Sequence, residues 1–171
     1  FAQTDIDEVI LGHTNEPEYR RLQGNEFMEA LRDRTVKIDV PYVTRLRDEV
    51  RIYEKDFNEG KVKGKHIAPH VTRVAALWAV LTRLKKPMVD RYRGAIRSMV
   101  DDLTPYEKLR LYDSGAAPDR LSMQQAKELR AQLPALFHES DAYPNYEGRS
   151  GASAREMKTV VFNAAQNPDY R

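Results

Sequence analysis

Apolar residues follow two different rhythms along this chain. Near the N-terminus they form short runs: Val9-Ile10-Leu11 ends at Gly12-His13-Thr14-Asn15, and Val36-Lys37-Ile38-Asp39-Val40 alternates strictly. Both patterns predict strands, over Glu8 to Leu11 and Val36 to Val40. Pro41 closes the second, because it has no N–H to continue a ladder. Between them Tyr19, Leu22, Phe27, Ala30 and Leu31 predict a helix over Glu18 to Arg32 with a break at Gly24-Asn25. Asn15 or Thr14 can cap that helix, which starts near Pro17.

Beyond Pro41 the rhythm is helical. Thr44 can cap a helix running to about Phe57, with Leu46, Val50, Tyr53 and Phe57 on one stripe. Asn58 to Lys65 is a loop rich in glycine and lysine. Pro69 suits the first turn of a helix over Val71 to Leu84. Its interior, Val74 to Leu81, is apolar on most faces, which places it and the only tryptophan, Trp78, in the core. Further helices are predicted at Val89 to Val100, Thr104 to Tyr112, Ser122 to Leu133 and Ser153 to Ala165. Thr104 and Ser122 are good caps, and Asn167-Pro168 stops the last helix. The expected fold class is mainly α: a short α/β piece over residues 1–42, then an all-α bundle over residues 43–171.

Charge narrows the function classes. The 28 basic and 26 acidic residues nearly cancel to a net +2, so the basic isoelectric point is no argument for nucleic acid. With no cysteine, disulfides and thiolate metal sites are excluded. No apolar run approaches the ~20 residues that span a bilayer, and no signal peptide is visible, so a cytoplasmic setting is expected. A first residue other than Met, followed almost at once by a strand, suggests a fragment of a longer chain.

Several stretches invite chemistry. Gly60-Lys61-Val62-Lys63-Gly64-Lys65-His66 has the look of a phosphate-binding loop but fails in glycine spacing, in lacking Ser or Thr after the lysine, and in lacking a preceding buried strand. It reads as a solvated loop. His66 and His70 are four apart, yet Pro69 intervenes and no third ligand is near, so no metal site is expected. No Gly-x-Ser-x-Gly elbow exists, and His138-Glu139-Ser140-Asp141 reads as a polar helix end. Asn15, at the end of a strand, is either a cap or a polar group delivered to a site beyond the sheet. Arg32 and Arg34 either complement a helix C-terminus or project toward an anion on a neighbour. Arg155 sits in a helix's first turn, against the local dipole, a placement that suits a bound phosphate.

In this order, a strand ending in Asn15, the Asp33-Arg34 corner, Val40-Pro41-Tyr42, a helical bundle and Gly151-Ala152-Ser153-Ala154-Arg155 resemble the second half of an AAA+ ATPase module. The stretch FAQTDIDEVILGHTNEPEYRRLQGNEFMEALRDRTVKIDVPYVTRL resembles the bacterial PrkA-type serine protein kinases, as do GKHIAPH and YEGRSGASAREMKTVVFNAAQNPDYR. The likeness is dense over residues 1–86 and 146–171 and thin between. It implies that Asn15 is sensor 1, that Arg34 and Arg32 form the arginine-finger region offered to an adjacent subunit's nucleotide, and that Arg155 is sensor 2. Ala154 departs from the proline that related lids often carry there.

The same resemblance implies ATP with Mg2+ as cofactors of the full-length protein, a homo-oligomer and a protein substrate, with no nucleic acid or membrane partner. It also places the Walker A and B elements, and the C-terminal region associated with kinase activity, outside this chain. The two strands would then lack their sheet neighbour, giving a mostly α structure with little regular sheet and an inactive chain in isolation. The alternative function is a non-catalytic helical interaction module derived from such an ATPase.

Overall fold

Helices supply the regular structure of the computed structural model, which describes residues 9–25, 29–139 and 146–167. The chain divides into two units, Phe1–Asp39 and Val40–Arg171.

In the first unit, α1 (Glu16–Gln23) opens with Asn15 as N-cap and Pro17 in its first turn, and ends at Gly24. The short α2 (Glu29–Arg32) follows, so the break expected at Gly24-Asn25 is present. Phe27 lies outside the described residues. Lys37 bridges Glu16 at 3.1 Å and Asp39 at 3.0 Å. Those two carboxylates hold its ammonium well above the usual lysine range.

The two segments patterned as strands depart from that expectation. No strand is present among the described residues, and Val9, Ile10, Leu11, Val36 and Ile38 are between 77% and 91% exposed. Alternation specifies a face, but a strand exists only when its N–H and C=O groups find a neighbouring strand, and these segments find none. The mainly α class stands. Glu8 lies outside the described residues.

In the second unit, α3 (Leu46–Glu54), α4 (Val71–Arg83), α6 (Pro105–Ser114) and α9 (Ala154–Gln166) meet around Leu46, Tyr53, Ala76, Ala79, Val80, Leu109 and Met157. A second core joins Tyr92, Val100, Leu103, Leu111, Tyr112, Leu129 and Leu136. It is built by α5 (Gly94–Asp101), α6, α7 (Met123–Ala131) and α8 (Leu133–His138). Thus α6 serves both: Leu109 faces the first core, Leu111 and Tyr112 the second.

Local chemistry explains several helix starts. Thr104, Ser122 and Ser153 each accept from the N3 amide while the N3 Glu or Gln reaches back, a full capping box. Thr44 does not cap α3; Arg45 is the N-cap, without a side-chain bond. The helix expected over Val89 to Val100 splits into a 3-10 turn (Val89–Arg91) and α5, because Gly94 takes φ +58°. Pro168 lies outside the described residues.

Trp78 is the larger correction. It is 55% exposed and Val74 62%, because α4 turns its small residues, Ala75, Ala76 and Ala79, toward the core. Small side chains let α3 and α6 approach closely, and the bulky apolar face is left outward.

Candidate functional site

Asn15 performs the capping role. Its Oδ1 accepts from Glu18 N at 3.1 Å, which leaves the Nδ2 amide as a donor for a water or phosphate oxygen.

Arg32 and Arg34 differ although only Asp33 separates them. Arg32 Nη1 donates to Gln23 O at 2.9 Å, at the C-terminal end of α1, and lies 3.9 Å from Glu29. That is the helix-end complement. Arg34 is exposed and has no partner among the described residues. A guanidinium so placed has all its donors available for a planar anion.

Arg155, in the second unit, is exposed on the first turn of α9. The helix start is already satisfied around it: Ser153 Oγ accepts from Glu156 N at 3.1 Å, and Ser153 N donates to Glu156 Oε2 at 2.7 Å. Donation from the Ser153 backbone and hydroxyl holds the Glu156 carboxyl below its usual range. Glu156 therefore supplies the negative charge that the α9 N-terminus favours, and Arg155 is tolerated beside it. The structure brings Arg32 and Arg34 together at one corner; Asn15 makes no contact with either among the described residues.

The residues that position α9 were not legible as a site. Arg83 of α4 reaches Glu49 of α3 with both Nη atoms, at 2.8 and 2.7 Å, each side chain 1% exposed. Arg83 also donates to Val43 O at 2.7 Å and Ala152 O at 2.9 Å, while Tyr53 OH donates to Glu49 Oε1 at 2.6 Å. One guanidinium thereby ties α4 to the entrances of α3 and α9. Burial, then the Glu49 hydrogen bond, push the Tyr53 phenol far up. Lys108 of α6 likewise donates at 2.6 Å to both Glu147 Oε1 and Lys85 O.

The loop bearing Glu147 is a packed element. Gly148, at φ +78°, stands where a Cβ would lie 2.5 Å from Tyr42 O, and Gly151, at φ +113°, where a Cβ would lie 2.7 Å from Thr82 O. The sequence signal for these ion pairs is a charge set inside an apolar stripe: Glu49 beside Leu46, Val50 and Tyr53; Arg83 after Ala76, Ala79 and Val80; Lys108 before Leu111 and Tyr112.

Glu139, in the stretch expected as a polar helix end, is 4% exposed. Its Oε2 accepts from Met88 N at 2.9 Å; Ser140 and Asp141 lie outside the described residues. The Gly60 to Lys65 loop is exposed, with Lys61 paired to Asp56 at 3.1 Å. Among the described residues no group of three or more His, Cys, Asp or Glu could hold a metal ion, and no helix is long and apolar enough to cross a membrane. For ATP, the exposed arginines and the Asn15 amide are donors of the right chemistry for phosphate.

Comparison with known proteins defines the class. Residues 1–91 match the family model of the PrkA AAA domain, which makes this an AAA-type module. Residues 106–171 match the model of the PrkA serine protein kinase C-terminal domain. The chain belongs to the PrkA family.

Two relatives set the scale. The chain is 44% identical over 113 residues, 66% of its length and 16% of the relative's, to a Bacillus subtilis (strain 168) protein named ATP-dependent protease PrkA. It is 31% identical over 111 residues, 65% of its length and 15% of the relative's, to an Escherichia coli (strain K12) protein named Serine/threonine kinase YeaG. The chain thus spans about a sixth of the length of these curated relatives. No solved structure matches it.

The second family match corrects one expectation. The C-terminal region, expected outside this chain, is represented in it by residues 106–171. Arg155 falls in that match and outside the AAA match.

Proposed function

We propose that this chain is the nucleotide-responsive part of an ATP-dependent serine protein kinase that works as a homo-oligomer. The match of residues 1–91 to the PrkA AAA domain carries the reading. In it Asn15 orients the attacked γ-phosphate, Arg34 reaches the ATP of an adjacent subunit, and Arg155 responds to the γ-phosphate from the helical bundle. ATP with Mg2+ binds the full-length protein and supplies the transferable phosphoryl group. These residues position it and stabilise the charge that spreads over its oxygens. Arg34 is the stronger finger candidate because it is exposed and partnerless, whereas Arg32 is committed to Gln23 and Glu29.

The test is ATP turnover by full-length protein. Arg34→Ala should leave nucleotide binding intact and lower turnover by the ~10³ or more of a lost arginine finger. Arg32→Ala should cost stability instead. Mixing Arg34→Ala with a variant lacking the phosphate-binding lysine should restore some turnover if Arg34 acts in trans. Unchanged turnover in Arg34→Ala removes it from the role.

A second reading, a non-catalytic interaction module, is favoured by the outward apolar face of α4 and by the position of Arg155 outside the AAA match. Full-length protein that neither binds nor turns over ATP would establish it. The relatives' names diverge between kinase and protease. Phosphate incorporation into serine with no new peptide termini supports the kinase.

A further inference from the structure

The outward face of α4 and the adjoining face of α9 form an apolar groove of about 540 Å³. Val74, Trp78, Met157, Val160, Val161 and His70 are among its nine lining residues. Val74, Trp78 and Val160 are 62%, 55% and 58% exposed. Half-buried Leu77 and Leu81 extend the α4 stripe at the i, i+3, i+4, i+7 spacing of a helix face. An exposed apolar patch of this kind, with the helix's small residues turned inward, marks a surface made for contact.

Its size and charge decide what fits. A stable homodimer places about 20–30 residues on each side, and nine line this groove. That suits the anchor residues of a single helix laid between α4 and α9.

The surroundings are basic. None of the nine lining residues is acidic, and from Gly60 to Val89 the chain has no Asp or Glu. Lys63, His66 and Arg73 in that stretch are exposed and partnerless among the described residues. Of the nearest acids, Asp56 is paired with Lys61 and Lys158, Glu156 is engaged by Ser153, and Glu59, immediately before the stretch, is exposed. We propose that the α4/α9 groove docks an amphipathic helix of a partner protein, apolar on one face and flanked by acidic residues.

The chain carries its own reporter, since Trp78 is its single tryptophan. The probe is a labelled helical peptide of about 16 residues, some four turns, with Leu at i, i+3, i+4 and i+7 and Glu at the flanking positions. Its counterpart carries Lys in place of Glu. The Glu peptide should shift Trp78 emission to the blue and bind at least about tenfold tighter than the Lys peptide, with the preference shrinking as salt rises.

Val160→Asp and Val74→Asp, both at exposed positions, should each abolish that shift while leaving the circular dichroism unchanged. Equal binding of both peptides, or no Trp78 shift, overturns the proposal. So does a Trp78 shift that follows protein concentration without peptide and sediments as a dimer, which assigns the groove to a second copy.

Discussion

Replacing Arg83 by Met removes one guanidinium and strands several groups at once. Glu49 is left as a buried carboxylate with only Tyr53 OH beside it, and the carbonyls of Val43 and Ala152 lose the Arg83 donors. An uncompensated buried charge costs about 3–5 kcal/mol, and an unmet buried acceptor about 1–3 kcal/mol before relaxation. Taken together, with part of the carbonyl loss recovered by water, the expected destabilisation is about 4–6 kcal/mol. Domains of this size are stable by only about 5–15 kcal/mol.

With a urea slope of about 2 kcal/mol per molar, the midpoint should fall by about 2–3 M. Urea titration followed by Trp78 fluorescence reads the unit that holds Arg83. The double variant Glu49→Leu/Arg83→Met should recover much of the loss, because a well-packed apolar pair replaces a buried ion pair at little cost. A single variant within about 1 kcal/mol of the parent would refute the reasoning. So would a double variant as unstable as the sum of its parts.

Three further outcomes follow from the structure. Gly148→Ala should cost about 2–4 kcal/mol, since it combines a left-handed backbone with a Cβ 2.5 Å from Tyr42 O. Gly115→Ala, at φ +71° with nothing within 4 Å, should cost only about 1–2 kcal/mol, and equal midpoints in urea would contradict the contrast. Arg155→Ala in the full-length protein should weaken ATP more than ADP and leave the melting temperature unchanged, as calorimetry with each nucleotide would show. On the alkaline side, burial and then the Glu139 charge push Tyr92 up to about 12 from an ordinary 10.0, and burial raises Tyr53 and Tyr112 in the same direction. A raised phenol stabilises the fold fully below pH 10 and loses that contribution as pH climbs through 12, so melting temperature should drop across that window. A melting temperature that stays constant from pH 10 through 12 would count against it.

What the sequence reveals here follows the range of the interaction. Caps at Asn15, Thr104, Ser122 and Ser153 are legible because Ser, Thr or Asn and its N3 partner settle the geometry within four residues. Thr44 misleads because the cap rule fixes only a preferred residue type, and α3 starts two residues later, at Leu46. The strands at Val9 and Val36 mislead for a deeper reason: alternation is local, while a ladder needs a partner from elsewhere in the chain. Trp78 shows that hydrophobicity names what could be buried, while close helix packing decides which face is. Arg34 was nameable from sequence; that Arg32 is occupied and Arg34 free depends on where Gln23 O falls, which no spacing encodes.

The buried ion pair and the candidate phosphate sensor are parts of one mechanical arrangement. Ala152 N donates to Thr82 Oγ1 at 2.9 Å, and Ala152 O accepts from Arg83 Nε at 2.9 Å. Both peptide groups flanking Ala152 are therefore fixed to the end of α4, one residue before the Ser153 cap. Gly151 fits that approach because a Cβ there would meet Thr82 O and Arg83 Cγ within 3 Å. Only Ser153 and Ala154 separate Ala152 from Arg155, and the capping box makes that interval rigid. A side chain that must meet a phosphate within about 0.5 Å needs such a supported backbone. The long-range bonds that fix the start of α9 are thus made by Thr82 and Arg83, on a helix whose sequence reads as merely apolar. An Arg83 variant that still folds should for this reason lose ATP discrimination together with Arg155→Ala, although Arg83 itself is buried away from any ligand.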